Sequence, residues 1–221
     1  MKLEKVLAMI SFDKWVLPDG EAHLQAWMQS VNRRVDGRLT YQYGKYEEAL
    51  KHCKNFGTAI DVGAHVGLWS YYMARDFKAV KSFEPMPEHQ ACWKENCKDR
   101  GNAELFAYAL GADTGSVSLS SGANSSGDTS VSGVGDIPMR KLDFFRFEDV
   151  DLIKIDCEGY EMNVLQGARL TLELHKPVVI VEQKPTHAQK YGFKETEAVD
   201  YLRSLGAKLK ATISGDYILA W

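Results

Sequence analysis

The chain lacks a long apolar run. No stretch approaches the roughly 18 consecutive apolar residues of a membrane-crossing helix, although apolar residues make up 45% of its 221 positions. Cysteine pairs are also missing. Cys53, Cys92, Cys97 and Cys157 form no C-x-x-C motif, which argues against a zinc ribbon or a disulfide framework and fits reduced thiols. Cationic excess is absent too: 27 lysines and arginines face 30 acids, a net charge of -3. That balance predicts no non-specific hold on nucleic acid, though a local basic patch stays compatible with it. Met1-Lys2-Leu3-Glu4-Lys5 leads into no apolar stretch with a small-residue cleavage site, so no signal peptide and a cytoplasmic location are expected. The G-x-G-x-x-G dinucleotide fingerprint is missing as well, because the glycine-rich turn of this chain is spaced G-x-x-x-G.

That turn is the organising feature. Ala59 to Tyr71 reads AIDVGAHVGLWSY. An apolar run ends in Asp61, the small residues Gly63, Ala64 and Gly67 follow, and a helical pattern begins. This is the grammar of a buried strand, a tight turn and a helix N-terminus, where backbone and free amides can approach a ligand. A second strand, Ala79 to Phe83, ends in Glu84-Pro85. An acid about 20 residues after the glycine turn is placed to accept hydrogen bonds from a ribose diol. Pro85 stops the strand.

The rest alternates. Residues 57–221 read as one α/β domain, and residues 1–56 as a helical and aromatic segment that could cover the sheet or act as a lid. In that segment Val16 to Gly20 reads as a turn, and Leu24, Trp27, Met28 and Val31 mark a helix. Tyr41, Tyr43 and Tyr46 precede a short helix from Glu47 to Cys53. Strands are expected at Thr58–Val62, Val80–Phe83, Glu104–Ala109, Asp151–Asp156 and Pro177–Glu182. Helices are expected at Leu68–Arg75, Glu88–Asp99 and Glu195–Leu205, and a hairpin at Ala207–Trp221. The stretch 111–135, crowded with serine and glycine, reads as a surface loop, with a short exposed strand allowed at Ser116–Ser120.

Carboxylates gather where the strands end. Asp156, Glu158 and Glu161 lie close together after strand four, and Glu182 ends the neighbouring strand. Such a group either raises one pKa, making a general base, or holds a hard cation. A divalent ion such as magnesium on Asp156, Glu182 and Glu158 would lower the pKa of an acceptor hydroxyl. The bland alternative puts Glu161 in solvent and makes Glu158 a helix cap. His187 is a further possible base, or simply an exposed loop residue.

A parallel sheet finished by an antiparallel hairpin resembles the Rossmann-like class I methyltransferases that use S-adenosylmethionine. The phrases IDVGAHVGLWS, SFEP, LIKIDCEGYEMNVLQGA and VVIVEQ, in this order, are similar to the FkbM family of methyltransferases over residues 58 to 183. The chain departs from the family at His65, where asparagine is usual. The resemblance implies a mostly parallel seven-stranded sheet and S-adenosylmethionine as cofactor. It implies that Gly63, Ala64, His65 and Gly67 surround the amino-acid end of the cofactor and that Asp61 orients their loop or binds through water. Glu84, next to Pro85, would take the ribose, Ala109 and Leu110 would line the adenine pocket, and Asp156 would lie where the methyl meets its acceptor. The expected reaction is O-methylation of a small-molecule or sugar hydroxyl, with Asp156, Glu158 and Glu182 as catalytic carboxylates. A nucleic-acid or protein methyltransferase and a non-catalytic nucleoside-binding module are the alternatives. Against an amino methylase of bases, strand four ends D-C-E-G rather than in a D/N-P-P-Y motif.

Overall fold

In the computed structural model, residues 8–121 and 126–221 are described. In chain order the elements are β1 (Met9–Phe12), β2 (Trp15–Pro18), α1 (His23–Val31), β3 (Arg34–Val35), β4 (Arg38–Leu39), α2 (Tyr43–Leu50) and β5 (Thr58–Val62). They continue with α3 (Leu68–Asp76), β6 (Ala79–Phe83), α4 (Pro87–Asn96), β7 (Ala103–Phe106), β8 (Ala109–Leu110), β9 (Gly115–Ser121) and β10 (Thr129–Arg140). The last are β11 (Val150–Ile155), α5 (Glu161–Gly167), α6 (Arg169–His175), β12 (Val178–Glu182), α7 (Glu197–Ser204), β13 (Lys208–Ile213) and β14 (Asp216–Ala220). No helix among the described residues is long and apolar enough to cross a membrane.

The central sheet has seven strands in the order β13-β14-β12-β11-β5-β6-β7. Strands β12, β11, β5, β6 and β7 run parallel, and β14 pairs antiparallel with both β12 and β13. This is the mostly parallel sheet with a closing hairpin that the sequence pattern leads one to expect. Its central strands are mostly apolar on both faces because both are covered. Ala59, Leu152, Val178, Ile180 and Ile218 pack on one side with the N-terminal elements and α3. Ile60, Ile153, Ile155, Val179, Val181 and Leu219 pack on the other with residues of α5 and α7. Side chains alternate across a strand, so β11 sends Leu152 and Lys154 to the first face and Ile153 and Ile155 to the second.

Several expectations shift. Val16–Pro18 is strand, not turn, and the turn falls at Asp19 and Gly20. Tyr43 and Tyr46 lie inside α2 rather than before it. The expected strand Glu104–Ala109 breaks in two: β7 stays in the central sheet, while β8 pairs with β10 in another. The break follows from a local turn in which Tyr108 N–H donates to Phe106 O at 2.9 Å. The serine- and glycine-rich stretch is mostly an antiparallel hairpin, β9 with β10, bulged near Gly133. Alternation of serine with Val117 and Leu119 explains it, because Val117 packs inward on Ala109 and Met139. The part of the loop expectation that falls on residues 122–125 lies outside the described residues.

The N-terminal elements are tied in at a buried side chain. Asn96, near the end of α4, accepts from Val16 N–H at 2.7 Å and donates to Val16 O and Val66 O, each at 2.8 Å. It thus joins β2 to the glycine turn. Asn96→Ala leaves buried backbone groups unpaired, so it is expected to lower the unfolding free energy by about 2 kcal/mol, measured by urea denaturation.

Candidate active site

The carboxyl ends of β5, β6, β11 and β12 open into one cavity. Its walls include Gly63, Ala64 and His65 after β5, Glu84 and Pro85 after β6, Ala109 and Leu110 of β8, Asp156 and Glu158 after β11, and Glu182 at the end of β12. Ligands bind in such a crevice in open α/β sheets. Two expected residues stand behind this wall. Asp61 is fully buried, accepting from Ser70 Oγ at 2.6 Å. Gly67 opens α3 with φ 87° and packs on α4, since a Cβ there would meet Trp93 Cδ1 at 2.8 Å and Cys97 Sγ at 3.0 Å. It makes room for a helix rather than for a ligand.

Gly63 is the tighter constraint. Its φ is 73°, and a Cβ there would lie 2.0 Å from Asp156 O. The turn after β5 and the end of β11 touch through backbone, and only glycine allows that. His65 also has positive φ, 51°. Histidine and asparagine are among the residues most tolerant of this region, so histidine can stand where asparagine is usual. Its ring is edge-on to His89 with centroids 4.2 Å apart, and its Nε2 lies 2.8 Å from Ser126 Oγ. Burial, aided by the neighbouring His89, holds its pKa well below the usual histidine range. His65 is therefore neutral rather than a charge that follows pH near neutrality.

Glu84 is preset as an acceptor. Its Oε2 takes His65 N–H and its Oε1 takes Met86 N–H, both at 2.8 Å, and His89 Nδ1 lies 3.3 Å from Oε1. Each oxygen keeps lone pairs beyond these bonds.

The mouth is closed from two sides. Glu21, just before α1, accepts Leu24 N–H and Ser126 N–H at 2.9 Å and also binds Ser126 Oγ. His23, Leu24 and Tyr41 from the N-terminal segment and Leu119, Ser126 and Val131 from the hairpin complete the wall.

The acids form an ordered row with lysines between them. Lys154 is 5% exposed. Its Nζ donates to Gly63 O at 3.0 Å and lies 3.5 Å from Asp61 Oδ1 and 3.7 Å from Asp156 Oδ2. Lys184 Nζ bridges Glu158 Oε1 at 2.8 Å and Glu182 Oε2 at 3.0 Å. Both ammonium groups are held charged, because the acids around them outweigh burial. Asp156 and Glu182 each bring a carboxylate oxygen within 4.8 Å of the other, so the charge of one opposes ionisation of the other. Burial and the charge of Asp156 push Glu182 up to about 9. Burial opposes ionisation of Asp156 as well, but Lys154 and Lys184 overcome it and hold its carboxyl below the ordinary range. At neutral pH the proton sits on Glu182 and the negative charge on Asp156. Burial and the Asp156 charge also raise Glu158.

Neither bland reading of the remaining acids holds. Glu161 is 1% exposed, not in solvent. Its Oε1 accepts Cys157 N–H at 3.0 Å and Gly159 N–H at 2.9 Å, and burial pushes its pKa to about 7. It braces the turn after β11. Glu158 caps nothing: it bends that turn with φ 53° and points at Lys184.

Sequence reasoning missed Lys154, Lys184 and Glu21, and named Tyr41 only as part of an aromatic segment that could act as a lid. Lys154 left a signal, a cation inside an otherwise apolar strand, which a buried position tolerates only with acids beside it. Lys184 is two residues past Glu182, close enough to share its surroundings. Glu21 left none, since its place depends on how the N-terminal segment docks.

Fold and crevice together have the architecture of the Rossmann-like methyltransferases. Several solved structures share the architecture. A precorrin-6y C5,15-methyltransferase from Geobacter metallireducens aligns with a TM-score of 0.52 and 13% identity, over 86% of this chain and 92% of that one. SMU.1697c from Streptococcus mutans, in complex with S-adenosylhomocysteine, gives 0.50 and 9% over 80% and 94%. An FkbM methyltransferase from Methylobacillus flagellatus is 19% identical with a TM-score of 0.49, over 75% of this chain; the alignment spans 44% of that protein's length. No curated protein matches the sequence. The family model of the methyltransferase FkbM domain matches residues 61–209. The chain belongs to the FkbM methyltransferase family.

Folding leaves Glu182 protonated at neutral pH, whereas in the unfolded chain it is ionised. The folded state then binds more protons, so stability falls as pH rises. The unfolding free energy is expected to decline between pH 7 and about 9, and Glu182→Gln should flatten that slope in urea titrations run across the range.

Proposed function

We propose that the protein is an S-adenosylmethionine-dependent methyltransferase that acts on a hydroxyl of a small molecule or sugar. The observation that carries this reading is the crevice itself. A glycine turn that a Cβ would close stands across from a buried Glu84 with acceptor capacity to spare, and an apolar wall at Ala109 and Leu110 lies beside them. A ribose diol needs the carboxylate, an adenine ring needs the apolar wall, and the polar end of the cofactor needs the backbone of Gly63 to His65. Lys154 holds that backbone from behind through Gly63 O.

Bound there, the cofactor would supply an activated methyl group, and a carboxylate of this chain would take the proton of the acceptor hydroxyl. Asp156 and Glu158 are the carboxylates near the mouth that remain available. Glu182, already protonated, keeps Asp156 company without competing for that proton. Tyr41 stays a phenol, raised by burial and by the charge of Asp156, and can donate a hydrogen bond. Orientation and a base suffice, because the methyl donor is already activated.

A resident divalent cation does not fit this arrangement. Asp156, Glu158 and Glu182 each offer an oxygen within 4.8 Å of the others, but Lys184 Nζ already lies between Glu158 and Glu182 and Lys154 stands at Asp156. A metal would have to expel a charged ammonium from its ion pairs. The ammonium groups do the neutralising that a metal would otherwise do.

Calorimetric titration with S-adenosylmethionine and S-adenosylhomocysteine tests the reading. Both are expected to bind, and Glu84→Ala should weaken binding by about 1–3 kcal/mol, the cost of unmet polar groups; unchanged affinity would sink the ribose assignment. Asp156→Asn should keep cofactor affinity and lose turnover. Activity should be indifferent to a chelator such as EDTA, and loss of activity restored by magnesium would reverse the argument against a metal.

A further inference from the structure

A second cleft abuts the first. Its described wall is entirely polar: Ser120, Ser121 and Ser130 on the hairpin, Asp128 at the hairpin's tip, and Glu158, His187 and Lys190 on the loops after β11 and β12. Asp128 and Glu158 belong to both walls, so the two hollows meet there. The junction is held by backbone. Gly159 has φ 104°, and a Cβ on it would lie 2.5 Å from His187 C, which presses the loop after β12 onto the turn after β11.

At that junction two polar atoms have no hydrogen-bond partner among the described residues, Glu158 Oε2 and His187 Nδ1, both buried. They lie 3.0 Å apart, at ion-pair distance but out of line for a hydrogen bond between them. Glu158 is fixed in place through its other oxygen, by Lys184 at 2.8 Å. Unmet buried polar atoms are costly and rare in native proteins. A single hydroxyl satisfies both, donating to Glu158 Oε2 and accepting from His187 Nδ1–H.

We propose that this cleft is the acceptor site, that it takes a polyhydroxylated, sugar-like molecule, and that Glu158 and His187 grip the reacting hydroxyl at the junction with the cofactor crevice. The inference rests on the methyltransferase reading above. The wall favours a polyol for three reasons. Its serine hydroxyls can both donate and accept. It holds both signs of charge, with two acids against one lysine and one histidine, so it repels a phosphate chain as much as it attracts one. No phenylalanine, tyrosine or tryptophan ring lines the cleft among the described residues, so a run of nucleobases would lack the stacking platforms that single-strand binders use. His187 is a positioning residue for the hydroxyl, and Glu158 is the carboxylate that hydroxyl faces.

Saturation-transfer NMR on the full chain loaded with S-adenosylhomocysteine tests the proposal. The probes are methyl α-glycosides of glucose, mannose and fucose, with catechol and a short uridine oligonucleotide as contrasts. At least one glycoside should show transfer. Ser130→Trp, which fills the cleft, should abolish it and leave S-adenosylhomocysteine affinity within about twofold by calorimetry. His187→Ala should weaken glycoside binding about tenfold, as expected for one lost hydrogen bond, and His187→Asn should restore part of it. Transfer to catechol or the oligonucleotide alone, to no probe at all, or to a glycoside unaffected by Ser130→Trp would overturn the assignment. Failure to bind S-adenosylhomocysteine would sink the parent reading instead, so the two failures can be told apart.

Discussion

Lys154 is the hinge of this structure. An ammonium group in a protein interior is expensive unless charge and hydrogen bonds surround it. Here Asp61, Asp156 and the Gly63 carbonyl do so, with the Trp69 ring 5.8 Å away. Each partner belongs to a different part of the crevice. Asp61 is the last residue but one of the strand before the glycine turn, Gly63 is in the turn, and Asp156 follows the strand that carries Lys154 itself. One side chain therefore sets the distance between the glycine-turn wall and the carboxylate wall of the crevice. Neighbouring strands in register make this possible, since Lys154 pairs with Asp61 across β11 and β5.

The polar strip does not stop there. Ser70 Oγ joins Asp61 to Ser82 and takes the Trp93 Nε1–H at 3.0 Å. On the other side Glu182 pairs in register with Asp216, which Lys45 of α2 meets at 2.8 Å. Buried polar groups run along the carboxyl edge of one sheet face from α4 to α2, while the opposite face is closed by apolar side chains. Segregation of this kind keeps the desolvation cost local and lets each charge find an opposite within one strand spacing. It also explains why α2, outside the family match at residues 61–209, is bound to the sheet by more than apolar packing.

Above the crevice the chain brings together two segments that are distant in sequence. Glu21 and Ser126 meet there, and Ser126 reaches His65 on the glycine turn. Against burial, the hydrogen bonds from Ser126 hold Glu21 below the usual carboxylate range, so the contact is charge-assisted and strong for its size. The N-terminal segment and the hairpin thus share one fastening over the mouth.

How far the sequence reaches can be judged residue by residue. Short apolar runs alternating with helical stripes determined the parallel sheet, because strands buried on both faces read as continuous apolar runs of strand length. The glycine turn, the acid after β6 and the acids after β11 and β12 were legible for the same reason, since strand ends in this topology share one edge. The hairpin from β9 to β10 was half legible: serine hides a strand, because its local hydrogen bonds favour turns, and pairing with β8 overrode that. What only the tertiary structure decided is which charges neutralise which. Glu161 looked like a surface residue and is buried on backbone amides; Lys154 and Lys184 looked incidental and hold the acids; Gly67 looked like part of the ligand cradle and makes room for Trp93. Periodicity reports whether a side chain faces inward, a property of its own strand or helix. Partnership depends on which other element arrives there, and that is set by the packing of the whole chain.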